Sequence, residues 1–220
     1  MAVFRTFFLA IALTAAPVAA SVATAQGATF SATGAFVELK GADRAKALGD
    51  ASKALQSQSR LQGGFVQIGA DGSVAKGKFY LSRPGKIRFE YSPPAALLVV
   101  ADGSTVAIQD NRLKTFNRAP LRSTPMYFFL KPNIDLTKDA KVVRVAKQPG
   151  TLAIAVKDKS GQSDGVLTLL FDPTSFELRQ WLIEDGAGGI TRVALSNVER
   201  VTQFEPSLFV LQPKNSPVRR

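Results

Sequence analysis

Most of the chain after residue 60 consists of short segments in which polar and apolar residues alternate, separated by turn signals. The clearest is Lys86 to Tyr91, where Ile87, Phe89 and Tyr91 alternate with charged residues without an error. Roughly ten or eleven such segments follow at spacings of about 8 to 12 residues, with turns such as Asp102-Gly103 between them. No long helical pattern separates them, as a parallel sheet would require. The pattern therefore predicts a mainly β chain with a large antiparallel sheet and few helices.

One segment, residues 42–60, has helical periodicity instead. Leu48, Ala51 and Leu55 fall at positions i, i+3 and i+7 and therefore share one helical face. Gly63-Gly64 is expected to end the segment. Because the apolar face is narrow, we expect this helix to be stabilised by docking onto another element.

Residues 119–140 interrupt the strand pattern. Thr124-Pro125 can start a short helix, because proline is favoured at the first helical position. Five large side chains then follow in succession and cannot all share one face, so some must project into a core or towards a ligand: Met126, Tyr127, Phe128, Phe129 and Leu130. Weaker patterns predict strands around residues 36–39, 112–116 and 208–211.

The N-terminal residues predict a secretory signal. Arg5 is the only charge before residue 38, and it precedes an apolar run from Phe7 to Ala16. That run is about ten residues long, whereas a membrane span needs roughly 20, and Ala23-Thr24-Ala25 matches an A-x-A cleavage site. We expect cleavage before Gln26 and a soluble exported product without a cysteine for lipidation; an uncleaved membrane anchor is the alternative. The predicted divisions are a signal at 1–25, a lead-in at 26–41, a β domain at 42–212 and a basic tail at 213–220.

The chain contains neither cysteine nor histidine, which argues against most catalytic and metal-binding classes. Thiolate and imidazole are the commonest zinc ligands, and histidine is the usual proton carrier in nucleophilic catalysis. The acidic residues near turns suit local backbone bonding: Asp71, Asp102, Asp110, Asp172 and Asp185. We therefore expect no enzyme activity, no metal and no cofactor; a hydrolase that uses two carboxylates is the alternative.

The charge balance is strongly basic, with 28 Lys and Arg against 17 Asp and Glu, a net charge of +11. Such a charge can indicate nucleic acid, an anionic membrane surface or an acidic protein as partner. Export argues against nucleic acid, and the basic residues are scattered outside the tail. A solvated basic surface is as consistent with the pattern as a specific anion site.

A single large sheet covered by one helix and a short insert would leave its apolar face incompletely filled. Open-mouthed β structures of this kind hold apolar ligands. A two-sheet sandwich with a filled core is the alternative, and the pattern alone does not separate the two.

Several segments together resemble the outer-membrane lipoprotein carrier family (LolA). The first is Arg83 to Tyr91 with its Arg-Pro turn, followed by Pro94, Leu98-Val99 and Asp102-Gly103. Thr124-Pro125-Met126 and the apolar run after it resemble the family's short lid segment. The late hairpin is similar through Leu178, Trp181, Asp185, Gly189 and Thr191. The resemblance covers roughly residues 42 to 212.

The resemblance implies a curved, incomplete antiparallel β-barrel lidded by short α-helices. It implies a periplasmic chaperone of a Gram-negative bacterium that carries the acyl chains of lipoproteins. Cargo would come from an inner-membrane ABC-type extractor and pass to an outer-membrane receptor or to the outer membrane itself. The family's Arg-Pro arginine maps onto Arg83 and would hold the lid closed through lid backbone groups; a solvated turn arginine is the alternative.

On this basis we predict a monomer with an apolar lipid-binding cavity. A module that senses lipids or lipoproteins with the same cavity is a further alternative. The predicted lining residues are Leu48, Leu55, Phe79, Leu81, Ile87, Phe89, Tyr91, Leu98, Met126, Phe128, Phe129, Trp181 and Ile183.

Overall fold

The computed structural model describes residues 35–159, 161 and 165–211, and shows one open antiparallel sheet of twelve strands. The expected mainly β architecture is confirmed, with twelve strands rather than ten or eleven. The strands are β1 Val37–Glu38, β2 Arg60–Ile68, β3 Val74–Ser82, β4 Lys86–Tyr91, β5 Leu97–Asp102, β6 Thr105–Asp110, β7 Thr115–Pro120, β8 Ala140–Gln148, β9 Thr151–Asp158, β10 Val166–Phe171, β11 Leu178–Glu184 and β12 Ile190–Arg200. The predicted signal peptide and basic tail lie outside the described residues.

Among the described residues, three α-helices accompany the sheet: α1 Gly41–Ser57, α2 Pro125–Leu130 and α3 Leu136–Asp139. The helix start expected at Thr124-Pro125 is confirmed, since Pro125 occupies the first turn of α2 directly after Thr124. None of the helices within the described part of the chain has the length and apolar character needed to cross a membrane. The four-residue helix α3 has no periodicity in the sequence and was not expected.

The strand order determines where the helical insert must run. The sheet reads β1-β8-β9-β10-β11-β12-β2-β3-β4-β5-β6-β7, so β1 and β7 are its edges. Residues 121–139 leave edge strand β7 and enter β8, which lies beside the opposite edge. The insert therefore has to cross from one side of the sheet to the other. We call α1 together with residues 121–139 the lid.

The lid packs on the face of the sheet that carries Ile87, Phe89 and Tyr91, which we call the inner face. The α1 side chains Leu48, Ala51 and Leu55 are buried there in one apolar cluster with the inner-face residues. The predicted apolar face of α1 is thus confirmed. An isolated narrow face contributes little, so this docking supplies most of the helix's stability.

Two boundaries differ from the expectation. Gly63-Gly64 do not end the helix but lie inside β2, where a Cβ on Gly63 would come within 2.7 Å of the Ser196 carbonyl oxygen on β12. The strand expected at 112–116 begins instead at Thr115, because the Asp110 carboxylate accepts the backbone N–H groups of Arg112 and Leu113 and extends the turn. The short strand expected at 36–39 is present as β1.

The prediction of a strand at 208–211 is wrong. Pro206–Phe209 form a 3-10 turn on the outer face of the sheet, where Arg88 Nη1 of β4 donates to the Leu208 carbonyl at 3.0 Å. Phe209 is buried, and Phe204 meets Tyr80 edge-on with ring centroids 6.1 Å apart. This segment thus covers part of the outer face rather than extending the sheet.

Candidate functional site

The inner face of the central strands forms an apolar floor of aromatic side chains. Phe89 on β4 lies between Phe65 on β2, with ring centroids 5.1 Å apart, and Trp181 on β11, at 6.2 Å. Both contacts are edge-to-face, which is a favourable arrangement for aromatic rings. Phe79 on β3 completes the group at 6.4 Å from Phe89. Three of these rings come from the consecutive strands β2 to β4, and Trp181 joins them because the sheet order places β11 and β12 beside β2.

Most of the predicted lining residues belong to one buried cluster between the sheet and the lid. Tyr91 packs against its margin and is only partly buried. The buried members are Leu48, Leu55, Phe79, Leu81, Ile87, Phe89, Met126, Trp181 and Ile183. The side chains of Phe128 and Phe129 lie outside the described part of the structure.

Leu98 is the one predicted lining residue on the wrong face. It is the cross-strand partner of Glu90, which alternates with Phe89 and Tyr91 and therefore points to the outer face. Its neighbour Val99, the partner of Phe89, takes the inner position. A run of four apolar residues has no polar position to fix its alternation, so the sequence could not assign its faces.

Phe65 is an inner-face residue that the prediction missed. It is almost fully buried and contacts both Phe89 and Tyr91. Its ring fits because β3 carries a glycine opposite it: a Cβ on Gly77 would lie 2.8 Å from the ring. Periodicity could not have identified this position, because the apolar Val66 on the opposite face follows directly and the polar Gln67 shares the face of Phe65.

Arg83 connects the sheet to the end of α1. Its Nη1 donates to the carbonyl oxygens of Leu55 at 2.6 Å and Gln58 at 2.7 Å. These carbonyls belong to the last turn of the helix, where no intrahelical donor is available. Burial lowers the pKa of the Arg83 guanidinium to about 10, so the group remains charged at neutral pH. The contact is of the kind expected from the sequence, whereas its role in gating stays a prediction.

The same turn also holds the second part of the lid. The Gly85 N–H donates to the carbonyl oxygen of Leu130, the last residue of α2, at 2.7 Å. Gly85 has φ of +79°, and a Cβ there would lie 2.6 Å from the Cα of Gly103. Residues 83–85, which we call the 83–85 turn, therefore contact both α1 and α2 from one place on the sheet.

Two hydrogen bonds join α1 directly to the insert. The buried Ser52 hydroxyl accepts the Leu136 N–H at 3.0 Å, and Gln56 Nε2 donates to the Ile134 carbonyl at 2.7 Å. Ser52 and Gln56 are one helical turn apart and so project from the same side of α1. The lid is thus one connected unit. These residues had no signal in the sequence, because their role depends on which elements meet in space.

One polar pair interrupts the apolar inner face. The Tyr91 hydroxyl donates to Gln67 Oε1 at 2.8 Å, and the Tyr91 ring meets Phe65 edge-on at 5.0 Å. Burial raises the pKa of Tyr91, so its phenol stays protonated over the physiological range.

Across residues 35–159, 161 and 165–211, no three acidic side chains come together as a metal site would require.

Comparison with known proteins gives one family. The sequence profile described as "Outer membrane lipoprotein carrier protein LolA" matches residues 56–212. The chain is 27% identical over 182 residues to the outer-membrane lipoprotein carrier protein of Alkalilimnicola ehrlichii, covering 78% of this chain and 82% of the relative. It is 29% identical over 143 residues to that of Chromobacterium violaceum, covering 63% and 68%. Among solved structures, a LolA superfamily protein from Nitrosomonas europaea is similar with a TM-score of 0.46 and 9% identity, covering 76% of this chain and 97% of the other.

Proposed function

The chain belongs to the outer-membrane lipoprotein carrier family, and we propose from this that it carries lipoproteins through the periplasm with their acyl chains between the lid and the inner face. The observation that supports this site is the aromatic floor around Phe89, which belongs to the same buried cluster as the apolar side chains of the lid. A hydrocarbon chain that enters between lid and sheet would contact these rings.

The energetics favour a site that is closed when empty. Burial of one methylene contributes about 0.8 kcal/mol, so a chain of fifteen would contribute about 12 kcal/mol if fully buried. Two or three such chains, at about 24 to 36 kcal/mol, would exceed the ceiling of non-covalent affinity, roughly 18 to 21 kcal/mol. A carrier has to release its cargo. Displacing the lid from the floor offsets part of the gain and keeps binding reversible.

We further propose that the 83–85 turn acts as the gate. It bonds to the C-terminal turn of α1 through Arg83 and to the end of α2 through Gly85. Release of these bonds would let the lid move while the sheet stays unchanged. Transfer from an inner-membrane ABC-type extractor, and delivery to an outer-membrane receptor or the membrane itself, would use the open and closed states in turn.

A substitution that introduces a charge into the aromatic floor tests the proposal. Phe89→Glu puts an ionised carboxylate among buried rings, which is strongly unfavourable unless the group neutralises. We expect at least a tenfold loss of affinity for an apolar fluorescent probe and for a triacylated peptide. Val66→Glu is the matched control, since Val66 lies on the outer face and is 40% exposed. Phe89→Ala, which removes the ring without adding charge, gives a second variant if Phe89→Glu does not fold.

Two measurements on the unaltered protein complete the test. Mass spectrometry of material purified from the periplasm should find copurified acylated molecules. Transfer of a labelled lipoprotein between inner- and outer-membrane vesicles should depend on the protein and proceed without hydrolysis of the acyl ester. Unchanged probe binding by correctly folded Phe89→Glu and Phe89→Ala would contradict the site. Transfer that is independent of the protein would contradict the carrier role.

A further inference from the structure

We propose that Gln67 and Tyr91 form a polar subsite at one end of the inner face, which binds the carbonyl of an ester or amide at the head of an acyl ligand. The inference rests on the proposed carrier function and adds the orientation of the ligand: the acyl chain lies along the floor towards the 83–85 turn, and its carbonyl lies at Gln67.

The strand β2 runs along the site from one end to the other. It begins beside the 83–85 turn, where the Arg83 N–H donates to the Ser59 carbonyl at 2.7 Å. Along β2 the inner positions are Leu61, Gly63, Phe65 and Gln67, because side chains alternate between the two faces. Leu61 and Phe65 are buried, whereas Gln67 is half-buried. The site is therefore closed at the end near the turn and reaches solvent at Gln67.

The length of this path suits a long acyl chain. Gln67 lies six positions after Leu61, which at a rise of about 3.3 Å per residue is roughly 20 Å. The carbonyl is the first polar group that follows the hydrocarbon in an ester- or amide-linked lipid. A chain laid on the floor with its methyl end near Leu61 therefore places its carbonyl near the solvent-accessible end of β2.

Gln67 and Tyr91, at the solvent-accessible end of β2, leave one hydrogen-bond donor group available to a ligand. The Tyr91 hydroxyl donates to Gln67 Oε1, which leaves the two amide hydrogens on Gln67 Nε2. Within the part of the chain that the structure describes, that nitrogen makes no hydrogen bond. The amide is held in place by Tyr91, whose ring packs against Phe65. The remaining donor fits an acceptor, such as a carbonyl oxygen, at the margin of the apolar floor.

The chemistry can be tested with two ligands that differ only at this group. One is a diacylglyceryl peptide with ester links, and the other is its dialkyl ether analogue, which has the same chains but no carbonyl. We expect the wild-type protein to bind the ester about three- to tenfold more tightly, the effect of one neutral hydrogen bond. Gln67→Leu should lower the affinity for the ester to that for the ether and leave ether binding unchanged.

Tyr91→Phe should have a smaller effect in the same direction, because it frees the amide to rotate without removing it. Gln62→Leu is the control: Gln62 is on the same strand but faces outwards and bonds to Glu199 at 3.3 Å. It should keep the full preference. Circular dichroism and thermal unfolding establish that each variant is folded.

The outcomes separate the two proposals. If the wild-type protein binds neither ligand, the carrier function itself is wrong. If it binds both ligands equally, or if folded Gln67→Leu keeps the preference for the ester, acyl binding stands and the carbonyl subsite is overturned.

Discussion

Replacement of Arg83 by leucine is the most direct perturbation of the lid. The change removes both hydrogen bonds from Nη1 to the Leu55 and Gln58 carbonyls, at 2.6 and 2.7 Å. It leaves in place the backbone hydrogen bond from Gly85 to Leu130 at 2.7 Å. The substitution thus addresses the attachment of α1 without altering the apolar floor.

The size of the effect follows from the type of bond. A hydrogen bond from a charged donor contributes about 1.5 to 3 kcal/mol net. The two bonds share one nitrogen, so we count them as a single interaction of that size. Loss of that amount shifts the balance between the closed and open lid roughly 10- to 100-fold towards the open form. The sheet has many other interactions, so its own stability should change less.

Hydrogen exchange measures this balance at the helix end. The Gln58 N–H bonds to the Ala54 carbonyl at 3.1 Å and reports opening of the last turn of α1. In Arg83→Leu it should exchange about 10 to 100 times faster, whereas the amide of Ile154 in the central part of β9 should keep its rate. Arg60→Leu is the matched control, because it makes the same chemical change at an exposed position.

The lysine variant tests whether the guanidinium itself is needed. Burial already lowers the pKa of Arg83 to about 10 from 12.5. A lysine ammonium starts from a lower pKa, so the same burial brings it closer to losing its charge at neutral pH. Arg83→Lys should therefore restore only part of the protection, and transfer of lipoprotein should suffer in both variants. Exchange at Gln58 within twofold of wild type in Arg83→Leu would refute the reasoning, and Arg83 would then be a turn residue without a gating role.

Two further perturbations test the surroundings of the lid. Ser52→Ala leaves the buried Leu136 N–H without its acceptor and should lower the free energy of unfolding by about 1 to 3 kcal/mol in urea titrations; a loss below 0.3 kcal/mol would show that water replaces the hydroxyl. Desolvation alone would raise the pKa of Asp102, but hydrogen bonds from Thr105 and Ser104 hold it lower, at about 2. Because the folded pKa lies below the unfolded value of 3.8, this carboxylate stabilises the fold above about pH 4, and the contribution is lost as pH falls towards 2. Asp102→Asn should therefore reduce stability at pH 6 but have little effect at pH 2 by thermal unfolding, and an equal loss at both values would contradict the assignment.

The strands were predictable wherever the alternation was unambiguous. Lys86–Tyr91 and Val166–Phe171 have the bounds that their patterns indicate. Prediction failed where a local side-chain hydrogen bond or a contact with a distant element determines the boundary of a strand or turn. Asp110 extends a turn by accepting two N–H groups, and Gly63 is needed because β12 approaches it. Neither effect can be read from periodicity, since each depends on a three-dimensional contact.

In the candidate site too, the positions set by local alternation were predictable and those set by three-dimensional contacts were not. Alternation placed Ile87, Phe89 and Tyr91 on one face, and the face they share is the buried one. The apolar run from Leu97 to Val100 has no alternation, and so Leu98 was placed on the wrong side. The pairing of Ser52 with Leu136 spans 84 residues and arises from the path of the insert across the sheet. It follows from topology, which short-range patterns do not specify.

The topology is consistent with the proposed control of the lid by a single turn. The insert is tied at its two ends to β7 and β8, and α1 is tied to β1 and β2, so neither part can leave the sheet altogether. Between these fixed ends, the 83–85 turn contacts α1 and α2 from one place. A few hydrogen bonds worth several kcal/mol are small beside the burial of an acyl chain, at about 0.8 kcal/mol per methylene. Under the proposed gating role, the turn would therefore keep the empty site covered and yet give way when a long chain enters, which is the balance that a reversible carrier requires.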